Sequence, residues 1–454
     1  MRKSLATTRM YVHIGLLLLA IVCSVLCPKS ALASSNITKA EKVVDFISKG
    51  DFKSATADFN PLMKSQLTPD KFKEAWIQMT DQAGQFKART TAREVKEKDF
   101  DTVFVSCEFE ETTFDIKIIF ERYGKICGLW FIPRVDADEV QYTSPVYAHK
   151  DRMDEREISI DSGEWKLPGT LSMPKGKGPF PAVVLVHGSG PNDRDETLGP
   201  NKPFRDLAEG LASQGIAVLR YDKRTKVYAT KIAQSVDKLT VQNEVIDDAL
   251  AAIKLLRSTE KVNPKKIFVL GHSLGGMLIP RIGKADQNIA GLIVMAGPTR
   301  PLEELILEQS IYIASLDGSP SEDEKKQMDV VRGQIANVKS PTLSSSTPAS
   351  SLPLGVPASY WLDLRDYHPA ESAKSLKQPM MILQGGRDYQ VTKVDYDGWL
   401  KSLSDQPNVT FKLYPKMNHL FMEGEGKSAP QEYEKHIPVS KPVIDDLTAW
   451  INSH

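Results

Sequence analysis

Lys266-Ile267-Phe268-Val269-Leu270-Gly271-His272-Ser273-Leu274-Gly275-Gly276-Met277 is the stretch that decides the fold. Its first half is an unbroken β-branched and aromatic run, the composition of a buried strand. After Gly276 the apolar residues Met277, Leu278, Ile279 and Ile282 fall at helical spacing. Between the two, Gly271-x-Ser273-x-Gly275 reads as a sharp strand-to-helix turn. A serine at such a turn takes a strained backbone, and glycines two residues to either side let strand and helix pass without a Cβ clash. The Ser273 hydroxyl then projects clear of the sheet. The Leu274 amide, at the start of the helix, points to where an oxyanion would form.

Working outward, strands and helices alternate. Pro181 to Val186 and Ile216 to Tyr221 are continuous apolar runs of the fully buried parallel kind. Helices are expected at Phe204 to Ser213 and along the stripe Val241, Val245, Ala249, Ala252, Ile253 and Leu256. Further strands fall at Ile289 to Ala296, Met380 to Gln384 and Val409 to Tyr414, with a closing helix at Val443 to Ile451. Glu157 to Ile160 and Leu171 to Met173 read as antiparallel starting strands. The pattern predicts an α/β domain with a doubly wound, mainly parallel sheet. Alternation stops between Pro298 and Pro379, too long a stretch for an ordinary loop, so residues 299–370 are expected to form a helical lid. Tyr360 and Trp361 are its candidate substrate-binding walls.

A serine hydroxyl is a poor nucleophile unless a base lies within hydrogen-bond reach and an anion fixes that base's tautomer. Of eight histidines, His419 follows the last strand, in a loop able to reach the turn at Ser273; His368 and His436 are the rivals. Asp388, after Gly385-Gly386 at the end of the penultimate strand, is the matching carboxylate, with Asp366 as the alternative. A second oxyanion donor is expected from the loop after the Val183 to Val186 strand, where the Ser189 amide is chosen and Gly188 is its neighbour. His187 and His272 are read as structural. The cluster Asp193, Arg194, Asp195 and Glu196 is read as a salt-bridged loop holding that donor in place, with Arg224 as a candidate partner. No His/Cys spacing suggests a metal, and nothing calls for a cofactor.

The run Gly271-His272-Ser273-Leu274-Gly275-Gly276, with partners downstream in the order Ser, Asp, His, resembles the α/β-hydrolase superfamily. The upstream run His187-Gly188-Ser189-Gly190-Pro191-Asn192-Asp193-Arg194-Asp195-Glu196 further resembles its exported esterase-like branch, which carries a small N-terminal domain of the DUF3887 type. The resemblance implies a serine hydrolase acting on small-molecule carboxylic esters through an acyl-enzyme, without a cofactor. The same parts serve thioesters, acyl transfer and peptidases of the prolyl-oligopeptidase-like kind. Those peptidases usually carry a larger N-terminal domain such as a propeller, and no repeat of blade length is visible.

A chain of 454 residues suits two folded units. Arg2, Lys3 and Arg9, an apolar run from Ile14 to Cys27, and Ala31-Leu32-Ala33 make residues 1–33 a cleavable signal peptide. Export to the periplasm or exterior, with no stable membrane insertion after cleavage, is the expectation. Residues 34–140 read as a small α+β domain: helical spacing from Thr38 to about Val95, then strands Thr102 to Phe109, Thr112 to Phe120 and Lys125 to Ile132. Residues 141–155 read as a linker and 156–454 as the hydrolase domain. Basic and acidic side chains balance at 58 each, and losing Arg2, Lys3, Arg9 and Lys29 leaves an acidic excess, which excludes the basic character of a nucleic-acid binder. Cleavage leaves Cys107 and Cys127. Export would permit a disulfide between them, although an apparent strand separates the two.

Overall fold

The structure is a computed structural model that describes residues 33–97, 100–121, 123–133, 142–316 and 318–454. The signal-peptide segment, apart from Ala33, lies outside the described residues. The chain divides into two units, residues 1–139 and 140–454.

The first unit begins with helices Ala33–Ser48, Phe52–Ala55, Pro61–Gln66 and Pro69–Ala83. Asn60 and Thr68 cap the third and fourth, their side chains accepting the amides of Met63 and Lys71, each ahead of a proline at the first helical turn. An antiparallel meander follows in the order β1 (Phe86–Glu97), β2 (Phe100–Phe109), β3 (Thr113–Phe120) and β4 (Ile126–Pro133). Phe59, Phe72, Trp76, Phe109 and Ile118 fill the core between helices and sheet.

β1 corrects the helical reading that ran on to Val95. Its residues include good helix formers, but Gly84 at φ +77 ends the preceding helix and the segment pairs with β2 at the sheet edge. There Phe86 and Ala92 turn inward while Arg89 pairs with Glu41 and Asp45 of the first helix. Sheet pairing outweighs local propensity at this position. Cys107 and Cys127 are both free thiols. β3 lies between their strands, and they sit opposite different ends of it, Cys107 beside Phe114 and Cys127 next to the partner of Ile119. Burial pushes both thiols up to about 12.

The second unit holds an eight-stranded sheet of β5 (Met153–Ser162), β6 (Trp165–Pro174), β7 (Phe180–Val186), β8 (Ala217–Tyr221), β9 (Val262–His272), β10 (Gly291–Met295), β11 (Met380–Gly385) and β12 (Val409–Tyr414). Their spatial order is β12-β11-β10-β9-β7-β8-β6-β5. The β5-β6 hairpin joins antiparallel to β8, and the remaining pairs are parallel. From β7 the chain runs outward to β8 and then returns to the other side of β7 as β9. Doubly wound sheets bind ligands outside the carboxyl ends of the strands at which the order reverses, here β7 and β9. Val184, Val186 and Val269 face one core, with helices Asp247–Arg257, Leu274–Ala285 and Lys393–Leu403. Val183, Leu185, Phe268 and Leu270 face the other, with helices Pro203–Ser213 and Lys441–Ser453. Two covered faces explain strands that are apolar throughout.

The stretch read as a linker is partly built into this unit. Tyr147 joins the second core and donates its hydroxyl to the Val439 carbonyl at 2.6 Å, and β5 already starts at Met153. Residues 299–370 form helices Leu302–Ala314, Glu322–Lys339 and Ala358–Leu364, the second entered through a capping box of Ser321 and Glu324. Val338, Leu343, Leu352, Ala358 and Trp361 make a small core of their own there. No helix of the described residues is long and apolar enough to cross a membrane.

Candidate active site

Ser273 sits between β9 and the helix Leu274–Ala285 at φ +54 and ψ −119, a conformation that L residues rarely adopt. Its amide donates to the Met295 carbonyl at 2.9 Å and its carbonyl accepts from Met277 at 3.0 Å, so the neighbouring strand and the helix hold the strain in place. The flanking glycines are sterically required. A Cβ on Gly271 would lie 2.3 Å from the Gly275 oxygen, and one on Gly275 would lie 2.3 Å from the Val186 oxygen. The Leu274 amide opens the helix and has no helical carbonyl behind it to bond.

Asp388 follows β11, and four donors saturate its buried carboxylate: the amides of Gln390 (2.8 Å) and Val391 (3.0 Å), Gln384 Nε2 (3.2 Å) and His419 Nδ1 (2.7 Å). Facing a carboxylate, Nδ1 carries the imidazole proton, which leaves Nε2 as an acceptor. The acid and base loops touch closely, since a Cβ on Gly385 would stand 2.5 Å from the Asn418 oxygen. Asn418 shapes the base loop by accepting the amides of Leu420 and Met422 at 3.1 and 3.2 Å. Among the described residues no hydrogen bond joins Ser273 Oγ to His419 Nε2. The His419 ring packs instead on His272, the residue before the serine, with centroids 4.6 Å apart. Hydrogen bonds of this kind often close only around substrate.

The loop after β7 lies against the serine, where a Cβ on Gly188 would be 3.1 Å from Ser273 Cβ. The Gly188 amide is occupied, donating to Glu196 Oε1 at 2.6 Å. Its carbonyl accepts from Lys223 Nζ at 3.1 Å and Asn192 Nδ2 at 3.2 Å. Among the described residues no hydrogen bond is made by the next amide along, that of exposed Ser189.

The charge cluster is salt-bridged to the elements around it. Arg194 binds Asp222 at 3.0 Å and Glu157 at 2.5 Å, and Asp195 binds Arg220 at 2.8 Å and Lys202 at 3.1 Å. Arg224, the expected partner, is committed elsewhere, to Asp248 and Ser162. Glu196 pairs with His272 at 2.8 Å. Burial works against ionisation of both, yet their mutual attraction prevails, holding Glu196 below the ordinary carboxylate range and His272 above the ordinary imidazole range. Buried Lys223, which also binds Glu244 at 3.1 Å, carried no signal in the sequence, being one of several charged residues after a strand.

His187 is buried between the rings of Phe204 and Tyr221, neither ring nitrogen has a protein partner among the described residues, and burial drops its pKa to about 4. The rival residues are placed apart from this cluster. Asp366 and His368 are exposed in the 299–370 segment, and His436 bonds the Thr143 carbonyl at 2.9 Å.

Tyr360 and Trp361 require a correction. Tyr360 is 6 % exposed and donates its hydroxyl to Glu244 at 2.9 Å, while Trp361 is 2 % exposed and donates Nε1 to the Val356 carbonyl at 3.2 Å. Both are packing residues with their polar atoms satisfied, so neither presents a wall to a ligand. The part of this segment that does meet the site is the helix Leu302–Ala314. Tyr312 stacks on Tyr389, next to Asp388, at 5.0 Å and 7°, and Gln309 donates to the Gln390 carbonyl at 2.9 Å. Among the described residues no cluster of three side chains could hold a metal ion.

Residues 183–435 match the alpha/beta hydrolase family and residues 40–129 match a domain described as a protein of unknown function, DUF3887. The chain is 39 % identical to esterase EstD of Thermotoga maritima, over 90 % of its own length and 93 % of that protein. It is 22 % identical to the quorum-quenching protein AidA of Acinetobacter baumannii, over 50 % of this chain and 76 % of the relative. Among solved structures, Est1E from Butyrivibrio proteoclasticus aligns with 66 % of this chain and 99 % of its own at 15 % identity and a TM-score of 0.41.

Proposed function

The chain belongs to the alpha/beta hydrolase family, and from that premise we propose that it is an exported esterase working through an acyl-enzyme on Ser273. In this reading His419 Nε2 takes the Ser273 proton as Oγ attacks the ester carbonyl, and Asp388 stabilises the imidazolium through Nδ1. The amides of Leu274 and Ser189 receive the oxyanion. Collapse of the tetrahedral intermediate breaks the bond to the alkoxy oxygen, and His419 returns the proton to the departing alcohol. Water, deprotonated by the same nitrogen, then releases the acid and restores the serine.

The observation that carries the reading is the buried Asp388–His419 pair, 2.7 Å apart beside a serine in strained backbone. Resemblance to EstD along nearly the whole chain supports an ester as the substrate, and the basic, apolar and Ala31-Leu32-Ala33 segments support export. The test is covalent labelling by a fluorophosphonate together with turnover of p-nitrophenyl esters of graded length, a thioester and an aminoacyl-proline anilide. Labelling lost in Ser273→Ala, with esters preferred, is the expected result. Undiminished labelling of the alanine variant, or cleavage of the anilide alone, would refute it.

A further inference from the structure

Glu196 and His272 are buried beside the proposed triad without belonging to it, 7 % and 4 % exposed. Glu196 Oε1 accepts from the Gly188 amide at 2.6 Å and Oε2 meets His272 Nδ1 at 2.8 Å. Across the ring, His272 Nε2 meets the carbonyl oxygen of His419 at 3.0 Å. Both partners of the carboxylate are donors and both partners of the imidazole are acceptors. An ionised Glu196 and a doubly protonated His272 satisfy all of these bonds, whereas a neutral imidazole beside an ionised carboxylate leaves one oxygen unserved. A single connected path therefore runs from the loop after β7, through the residue before Ser273, to the backbone of His419. Glu196 keeps this place at φ +51, in the left-handed region that glutamate seldom occupies, so the backbone alone does not favour a glutamate there.

We propose that Glu196 and His272 are positioning residues for the ester hydrolysis set out above. They hold the Gly188 amide turned away, so that the Ser189 amide faces the oxyanion, and they hold the His419 loop against the serine turn. The proposal rests on the reading of Ser273 and His419 as nucleophile and base. Oxyanion stabilisation depends on donors fixed before the charge develops, so a loosened path costs turnover more than substrate binding.

Two substitutions separate positioning from folding. Glu196→Gln keeps the shape but has one acceptor oxygen, so one of the two donors must face an NH2 group. Glu196→Asp keeps the charge and suits a positive φ better, yet it is one methylene too short to reach both donors. Each is compared with wild type as the full chain, with active serines counted by fluorophosphonate labelling, and kcat, KM and Tm measured on one p-nitrophenyl ester. The expected result is a kcat per labelled serine at least tenfold lower in both variants, KM within threefold, and a Tm for Glu196→Asp no more than a few degrees below wild type. A kcat per labelled serine within twofold of wild type in both variants would overturn the proposal, because the pair would then matter only for how many molecules fold. Failure of the wild-type chain itself to be labelled would instead remove the underlying assignment of Ser273.

Discussion

At the scale of single residues, the site divides into groups proposed to do chemistry and groups whose burial is felt as a pH response. Asp388→Asn preserves the shape of the acid loop but offers His419 an amide that can present the wrong tautomer and no compensating charge. Turnover per active serine should fall by about 10⁴-fold, the loss seen for the equivalent change in serine proteases. A nearly silent Asp388→Asn would move the acid elsewhere. His187 belongs to the other kind. It faces Glu196, Lys223, Asp193 and Asp222, and its pKa is depressed from 6.5 to about 4 by burial. Below pH 6.5 the unfolded chain takes up a proton that the folded one refuses, so stability falls as pH drops from 6.5 towards 4, by roughly 3 kcal/mol for this group. Asp206, raised to about 7 by burial, acts in the opposite sense: it contributes stability at low pH that is lost as pH rises through 7. His187→Leu, which leaves no hydrogen bond behind, should therefore flatten the acid side of the stability curve in urea titrations at pH 4.5, 5.5 and 7. Parallel curves for variant and wild type would show that His187 does not carry this pH dependence.

Among the elements, the segment 299–370 behaves differently from a free lid. Thr299 and Arg300 donate their amides to buried Asp395 at 2.9 and 3.1 Å, and the Leu302–Ala314 helix is clamped to the acid loop through Tyr312 and Gln309. Trp361 fills the small core on which the rest of the segment folds. Trp361→Ala should remove about 3 kcal/mol or more of local packing, seen as faster amide exchange over residues 335–365. kcat/KM should then fall by one common factor for every acyl length. A shift of preference towards longer chains would return Trp361 to the substrate wall. Amphipathic spacing made these helices readable in the sequence. It could not say which aromatic faces the ligand, because core and pocket draw on the same residue types.

For the whole molecule, each unit has its own hydrophobic core, one built on Phe72, Trp76 and Ile118 and the others on the faces of the eight-stranded sheet. Scanning calorimetry of the full chain should therefore resolve two transitions, one of them matched by residues 142–454 expressed alone. A single cooperative transition that the fragment does not reproduce would mean that the units stabilise one another. Much of this architecture was written locally. The doubly wound sheet follows from apolar runs alternating with helical stripes, and the serine turn follows from its flanking glycines, so motif, strand position and chain order together pointed to Ser273, Asp388 and His419. What is not local was not legible. β1 is a strand because β2 lies beside it, although its own residues suit a helix. Tyr360 and Trp361 are packing residues because of what surrounds them. The path from Gly188 through Glu196 and His272 to His419 joins four positions spread over more than two hundred residues, and only the reversal of strand order at β7 and β9 brings them within hydrogen-bond reach. The sequence determines which groups can bond, through their types and the backbone they tolerate. Which of them do bond is decided by the sheet, since hydrogen bonds and charges act over a few ångströms of space whatever their separation along the chain.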